Sequence, residues 1–181
     1  KKRKPPWIRI GTRRYRKLPI EDEIKKTKRF FKAMTEAQGK EFKDFKYDPE
    51  EWKRFRIEME AKNIFYGLNY RDPRYLETMR ALRSEIRRVK KAAEAGEEYV
   101  LPSEAVDNLE FGKFARIALA SLAPAKQYLQ ILQGMLAETR KEYYKDMKSI
   151  QRSMRLAIRR GYEKEVRKRI KELEKEHGLR A

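Results

Sequence analysis

From Pro124 to about Glu176 the apolar residues keep the period of an α-helix for roughly fifty residues, and no part of that stretch alternates as a strand would. Leu129, Leu132, Leu136, Tyr143, Met147, Ile150, Met154 and Ile158 follow one another at spacings of three, four or seven. Charged residues fill the remaining faces, so this segment cannot be accommodated in a sheet. Gly134 and Gly161 weaken the run, and Gly161 is expected to kink or split it.

The same punctuation recurs upstream. Pro19 followed by Glu21, Asp22 and Glu23 places proline and acids at a helix start, where free N–H groups and the helix dipole favour them. Ile20, Ile24, Phe31 and Met34 mark one face before Gly39. Asp48-Pro49-Glu50-Glu51 is a second start, with Asp48 as cap and Glu51 completing a capping box. Trp52, Phe55, Met59 and Tyr66 then follow at helical spacing, with Gly67 as the expected stop. Asp72-Pro73 opens a third helix, in which Leu76, Met79, Leu82, Ile86, Val89 and Ala93 repeat until Gly96. Ser103 or Asp107 starts a fourth, which ends at Pro124.

The expected fold is therefore all-α, with about five helices and a long basic C-terminal helix kinked or split near Gly161. By segment, 1–19 is an extended basic arm and 20–96 holds three helices. A linker covers 97–103, and 104–181 is a helical segment ending in the long basic helix. No β-hairpin is expected.

Residues 1–19 contain nine Lys or Arg and no acid. Lys1, Lys2, Arg3, Lys4, Arg9, Arg13, Arg14, Arg16 and Lys17 alternate with Trp7, Ile8, Ile10, Tyr15 and Leu18. Pro5, Pro6, Pro19 and Gly11 keep the segment out of a helix. Extended, it would reach about 60 Å at roughly 3.3 Å per residue. A polyanion is the matching partner, and RNA is the polyanion that also rewards interleaved aromatics, through unstacked bases. Trp7 and Tyr15 have no local core to join and are the stacking candidates. KKRKP also resembles a nuclear localisation signal.

Positive charge is not confined to this arm: the whole chain has 47 basic and 28 acidic residues and a net charge of +19. On the third helix Arg80, Arg83, Arg87 and Lys90 recur one turn apart, a weaker candidate contact. On the last, Lys148, Arg152, Arg155 and Arg159 form a ladder. A second runs through Arg160, Lys164, Arg167 (or Lys168) and Lys171, with Glu163 and Glu165 able to neutralise part of it. Cations stacked in this way can follow a phosphate backbone and release its counterions. Of the remaining aromatics, Trp52, Phe55 and Tyr66 are expected in the core, whereas Phe42, Phe45 and Tyr47 suit core or partner equally.

Leu, Ile, Val and Phe together make only about 21% of the chain, close to the level below which highly charged sequences stay unfolded. Part of its stability is expected to come from a binding partner. There is no cysteine, and no apolar run approaches the length of a membrane span. The lone histidine, His177, sits near the chain end, and no phosphate-binding loop, dinucleotide fingerprint or calcium loop is present. The acidic clusters are explained as helix caps. The reading is thus of a protein that is not an enzyme, with no catalytic residue, metal, cofactor or small-molecule substrate.

A charged proline-containing arm, a thin-cored helical body and a long basic terminal helix together resemble the lineage-specific helical proteins of mitochondrial ribosomes. The resemblance is one of overall style, carries no motif and transfers no functional residue. It implies a structural, rRNA-binding component of the mitochondrial matrix that bridges to neighbouring ribosomal proteins. The alternatives are a nuclear or nucleolar ribonucleoprotein or ribosome-assembly protein, or a helical scaffold subunit that binds no RNA. Lys1 in place of an initiator methionine adds the expectation of a processed chain whose targeting segment has been removed.

Overall fold

Pro19 divides a β-hairpin from a helical body in the computed structural model, which describes residues 7–46 and 48–179. The expectations placed on Lys1, Lys2, Arg3, Lys4 and Tyr47 lie outside the described residues. The elements are β1 (Trp7–Ile10), β2 (Arg13–Arg16), α1 (Ile20–Ala37), α2 (Pro49–Tyr66), α3 (Asp72–Glu94), α4 (Phe111–Ala120), α5 (Ala125–Arg160) and α6 (Glu163–Glu176). The chain is all-α apart from the two-stranded sheet.

Several boundaries follow from local chemistry. Asp48 caps α2, its Oδ1 accepting from the Glu50 N–H at 2.9 Å. Gly161 ends α5 with φ +79°. The Tyr162 N–H reaches the Ala157 carbonyl and the Gly161 N–H that of Ile158, the bond pair of a Schellman motif. The long helix is therefore split at Gly161, as its sequence implies.

One expected boundary holds in a different form and one moves. The α-helix α2 ends at Tyr66, as its sequence implies, but Gly67 lacks the positive φ of a terminating glycine, and a π-helical turn over Gly67–Arg71 follows. The fourth helix begins at Phe111 rather than at Ser103 or Asp107, after a 3₁₀ turn at Glu104–Val106.

The chain forms two compact units. One comprises residues 67–148 and holds the main apolar core. There Leu82 and Val89 of α3, Val106, Ile117 of α4, and Tyr128 and Leu132 of α5 are fully buried within one cluster. Each such aliphatic side chain contributes about 1.5–3 kcal/mol. Leu82 and Val89 lie on the apolar stripe legible in the sequence.

The other unit joins residues 1–66 to 149–181. Its buried apolar residues are Ala61, Ile64 and Phe65 on α2, Ile150 and Ala157 on α5, and Val166 and Leu173 on α6. Of the stripe expected to be core on α2, only Trp52 is even half-buried. Phe55, Met59 and Tyr66 are exposed, because apolar side chains surround that helix and α6 covers the opposite face. On α1 the only buried residue is an acid, Glu23, while Phe31 and Met34 are exposed.

Candidate nucleic-acid interface

The extended arm expected at the N-terminus is, over residues 7–16, an antiparallel hairpin. Trp7 pairs with Arg16, Ile8 with Tyr15, Arg9 with Arg14 and Ile10 with Arg13. Only Gly11 and Thr12 remain in the loop. Gly11 has φ +60° and Thr12 a negative φ, the pattern of a type II′ turn, in which glycine occupies the first central position. The prolines flank the paired residues, so none removes a ladder donor. Four-residue strands span about 14 Å, far short of the reach of an extended arm.

The hairpin docks on the C-terminal end of α5. The Leu18 N–H donates to the Arg159 carbonyl at 2.9 Å, satisfying one of the acceptors that a helix end leaves open. Arg159 Nε donates in return to the Arg16 carbonyl at 2.8 Å. The same guanidinium lies over the Tyr15 ring, 5.8 Å from its centroid.

This docking forms a cleft of about 380 Å³ lined by Arg13, Tyr15, Arg152, Arg155, Leu156 and Arg159. Four guanidinium groups and one phenol ring line it, and no acid does. Arg13 and Arg152 are exposed, Arg155 and Arg159 half-buried. Among the described residues no ion pair engages Arg13, Arg152 or Arg155. On α5 the three arginines follow one face over about 10 Å of helix rise. A second recess of about 350 Å³, also bordered by Arg159, is lined by Arg16, Lys17, Lys25, Lys26 and Arg29, with Asp22 as its acid. Two surfaces favourable to phosphate therefore share Arg159.

Arg160 has to be withdrawn from the binding set. Its side chain is only 5% exposed, and it donates from Nε to Glu23 at 2.5 Å and from Nη1 to Glu60 at 2.8 Å. Trp52 Nε1 also donates to Glu23, at 3.3 Å. Arg160 therefore ties the end of α5 to α1 and α2 instead of meeting a ligand, and it sets the position of its neighbour Arg159. The reason is tertiary: Glu23, read as a helix-start acid, and Glu60 are both buried and require a cation.

The other candidates separate by location. Lys17 borders the second recess. Lys148 is exposed but does not line the cleft. Trp7, Arg9 and Arg14 lie around a recess of their own on the hairpin. Arg80, Arg83, Arg87 and Lys90 are all exposed on α3, where Arg87 and Lys90 border a recess that also includes Glu94. The second α6 ladder is partly neutralised, with Arg167 paired to Glu163 and Lys168 to Glu172. Arg169, on the same helix, binds Glu58 at 2.7 Å, and that carboxylate holds its guanidinium firmly protonated.

Lys25, Lys26 and Arg29 were not legible as part of a site. Their i,i+3 and i,i+4 spacing on α1 was the available signal, but it needs the hairpin beside it to acquire meaning.

The unit of residues 67–148 buries a carboxylate of its own. Glu85 is fully buried and accepts from Tyr128 at 2.9 Å, from the Ser103 hydroxyl at 2.5 Å and from Arg88. Burial opposes its ionisation, but hydrogen bonds from Arg88, Ser103 and Tyr128 together outweigh that and hold its carboxyl below the usual range. Burial and the bond to Glu85 push the Tyr128 phenol well above its ordinary value. This network pins the 97–103 segment to α3 and has a structural role.

Comparison with protein-family models, with curated proteins and with solved structures finds no match to this chain.

Proposed function

We propose that this chain is a structural, non-catalytic RNA-binding protein of a ribosome, which grips the rRNA backbone between its N-terminal hairpin and the C-terminal end of α5. The observation that carries this reading is the acid-free cleft of Arg13, Arg152, Arg155 and Arg159 around Tyr15. Guanidinium groups donate in a planar fork suited to phosphate oxygens, and each contact releases a condensed counterion. No base-reading motif accompanies them, so recognition is directed to backbone and shape.

Exposed apolar side chains support the bridging part of the reading. On α4, Phe111 is 85% exposed and Leu119 71%, and they offer surface to neighbouring ribosomal proteins. Among the described residues no helix is long and apolar enough to cross a membrane. The mitochondrial matrix is the compartment implied by the overall resemblance.

Sedimentation of the native protein before and after RNase digestion tests the assignment. The protein should leave a large particle when the RNA is digested, and it should crosslink to RNA beforehand. Persistence in an undiminished particle, with no RNA crosslink, would overturn the reading and favour a scaffold that binds no RNA.

A further inference from the structure

We propose that the hairpin carries a second, distinct RNA site on the face turned away from α5, where Trp7 stacks on an unpaired base and Arg9 and Arg14 hold its flanking phosphates. This rests on the RNA reading above and names the class of RNA: strands with unstacked nucleotides, rather than duplex alone.

Strand register separates the two faces. Side chains alternate along a strand, so the directly paired residues Trp7 and Arg16, and Arg9 and Arg14, share one face. Ile8, Tyr15, Ile10 and Arg13 share the other. That second face is engaged: Ile8, Ile10 and Tyr15 are half-buried, and Tyr15 lies under Arg159. Tyr15 therefore has one ring face already taken by a guanidinium.

The first face is open. Trp7 is 55% exposed, and Arg9, Arg14 and Arg16 are exposed around it. Trp7, Arg9 and Arg14 of this face border a recess of about 540 Å³, to which Ile8 of the other face also contributes. Arg9 and Arg14 are like charges directly opposite each other, an arrangement that destabilises a strand pair unless an anion lies between them. Arg9 is held in place, with its Nε donating to the Gly11 carbonyl at 3.1 Å. Among the described residues neither Arg9 nor Arg14 forms an ion pair, and Arg16 on the same face lies 4.0 Å from Asp22.

An exposed indole beside two uncompensated guanidinium groups matches a nucleotide whose base is free of its stack. Base–aromatic stacking tolerates any sequence, and flanking cations take the phosphates. An A-form duplex supplies phosphates but no free base face. The hairpin then acts as a wedge, with RNA backbone on its α5 side and an unstacked nucleotide on its outer side.

The test uses the full chain with Trp52→Phe, which leaves Trp7 as its only tryptophan. A short oligouridylate and a blunt-ended RNA duplex are titrated in parallel, with emission and labelled-RNA anisotropy as readouts. Oligouridylate should quench Trp7 strongly and the duplex only weakly. In the wild-type background Trp7→Ala should weaken oligouridylate binding roughly tenfold and duplex binding less than about twofold, and Trp7→Phe should restore most of the loss. Arg9→Gln with Arg14→Gln should weaken oligouridylate binding while sparing duplex binding by the arginines of the α5 cleft.

Unchanged Trp7 emission while both RNAs bind overturns the proposal and leaves the backbone cleft standing. So does an equal loss on both RNAs with Trp7→Ala, when circular dichroism shows the fold intact. If neither RNA binds the wild-type chain, or anionic vesicles alone quench Trp7, both this proposal and the RNA reading fall.

Discussion

The guanidinium of Arg159 lies 5.8 Å from the centroid of the Tyr15 ring while its Nε donates to the Arg16 carbonyl at 2.8 Å. One residue of a long helix thus holds both a side chain and the backbone of the hairpin. The basic arm and the basic helix, distant in sequence, become the two walls of one cleft.

Loss of the helix wall should be read in the salt dependence. Arg152→Gln with Arg155→Gln should weaken RNA binding and reduce the slope of log K against log salt by roughly 2, one for each lost phosphate contact. Anisotropy titrations over a salt series check this. The same double change should leave thermal stability nearly unaltered, because neither arginine forms an ion pair among the described residues.

Arg160 should behave in the opposite way. Arg160→Ala leaves Glu23 and Glu60 without their shared buried cation and should destabilise the fold by about 3–5 kcal/mol. Urea unfolding followed by circular dichroism gives the value. A loss below about 1 kcal/mol would mean that solvent and Arg56, 3.7 Å from Glu23, compensate the two acids without Arg160.

Deletion of residues 1–17 should abolish the cleft and reduce particle association. The helical content of the body should remain nearly intact, since the buried apolar residues of both units lie beyond Pro19. Tyr15→Ala should have a milder effect, exposing Arg13–Arg16 to trypsin sooner than in the wild type.

Acid should weaken the unit of residues 67–148 through Glu85. Its carboxyl is held below the usual range in the fold, so between the folded and unfolded values the unfolded chain binds more protons. The contribution is therefore complete above the ordinary glutamate range, around 4.3, and is lost as pH falls through the lower folded value. Glu85→Gln should cost about 2 kcal/mol at neutral pH, and the gap to wild type should narrow as pH falls. Denaturant midpoints between neutral and strongly acidic pH check it.

Much of the architecture was legible because it depends on neighbours in sequence. The stripe through Leu82 and Val89, the cap at Asp48 and the break at Gly161 each follow from residues within a turn or two. The hairpin was missed although its elements were present: alternating Trp7–Ile10, a glycine able to adopt positive φ, and a matching Arg13–Arg16. Gly11 was read only as a residue that keeps the segment out of a helix, whereas it makes the two-residue turn that lets the strands pair.

Buried charge was the least legible feature. Glu23 read as a helix-start acid and Arg160 as part of a basic ladder, and nothing local marks Glu60, so the burial that joins the three was not visible. Glu85 carried a faint signal, an acid beside the Leu82, Ile86 and Val89 stripe, but its partners Ser103 and Tyr128 come from other elements.

Helix content, most helix limits and an excess of positive charge over the whole chain were determined by sequence alone, since period, capping and composition are local or additive. Which cations face solvent and which are consumed was decided only by the tertiary structure. Arg159 and Arg160 are adjacent and chemically identical, yet one borders two basic recesses and the other neutralises two buried acids. Their difference is one of direction around a helix: successive side chains diverge by about 100°, and what each meets is set by α1, α2 and the hairpin.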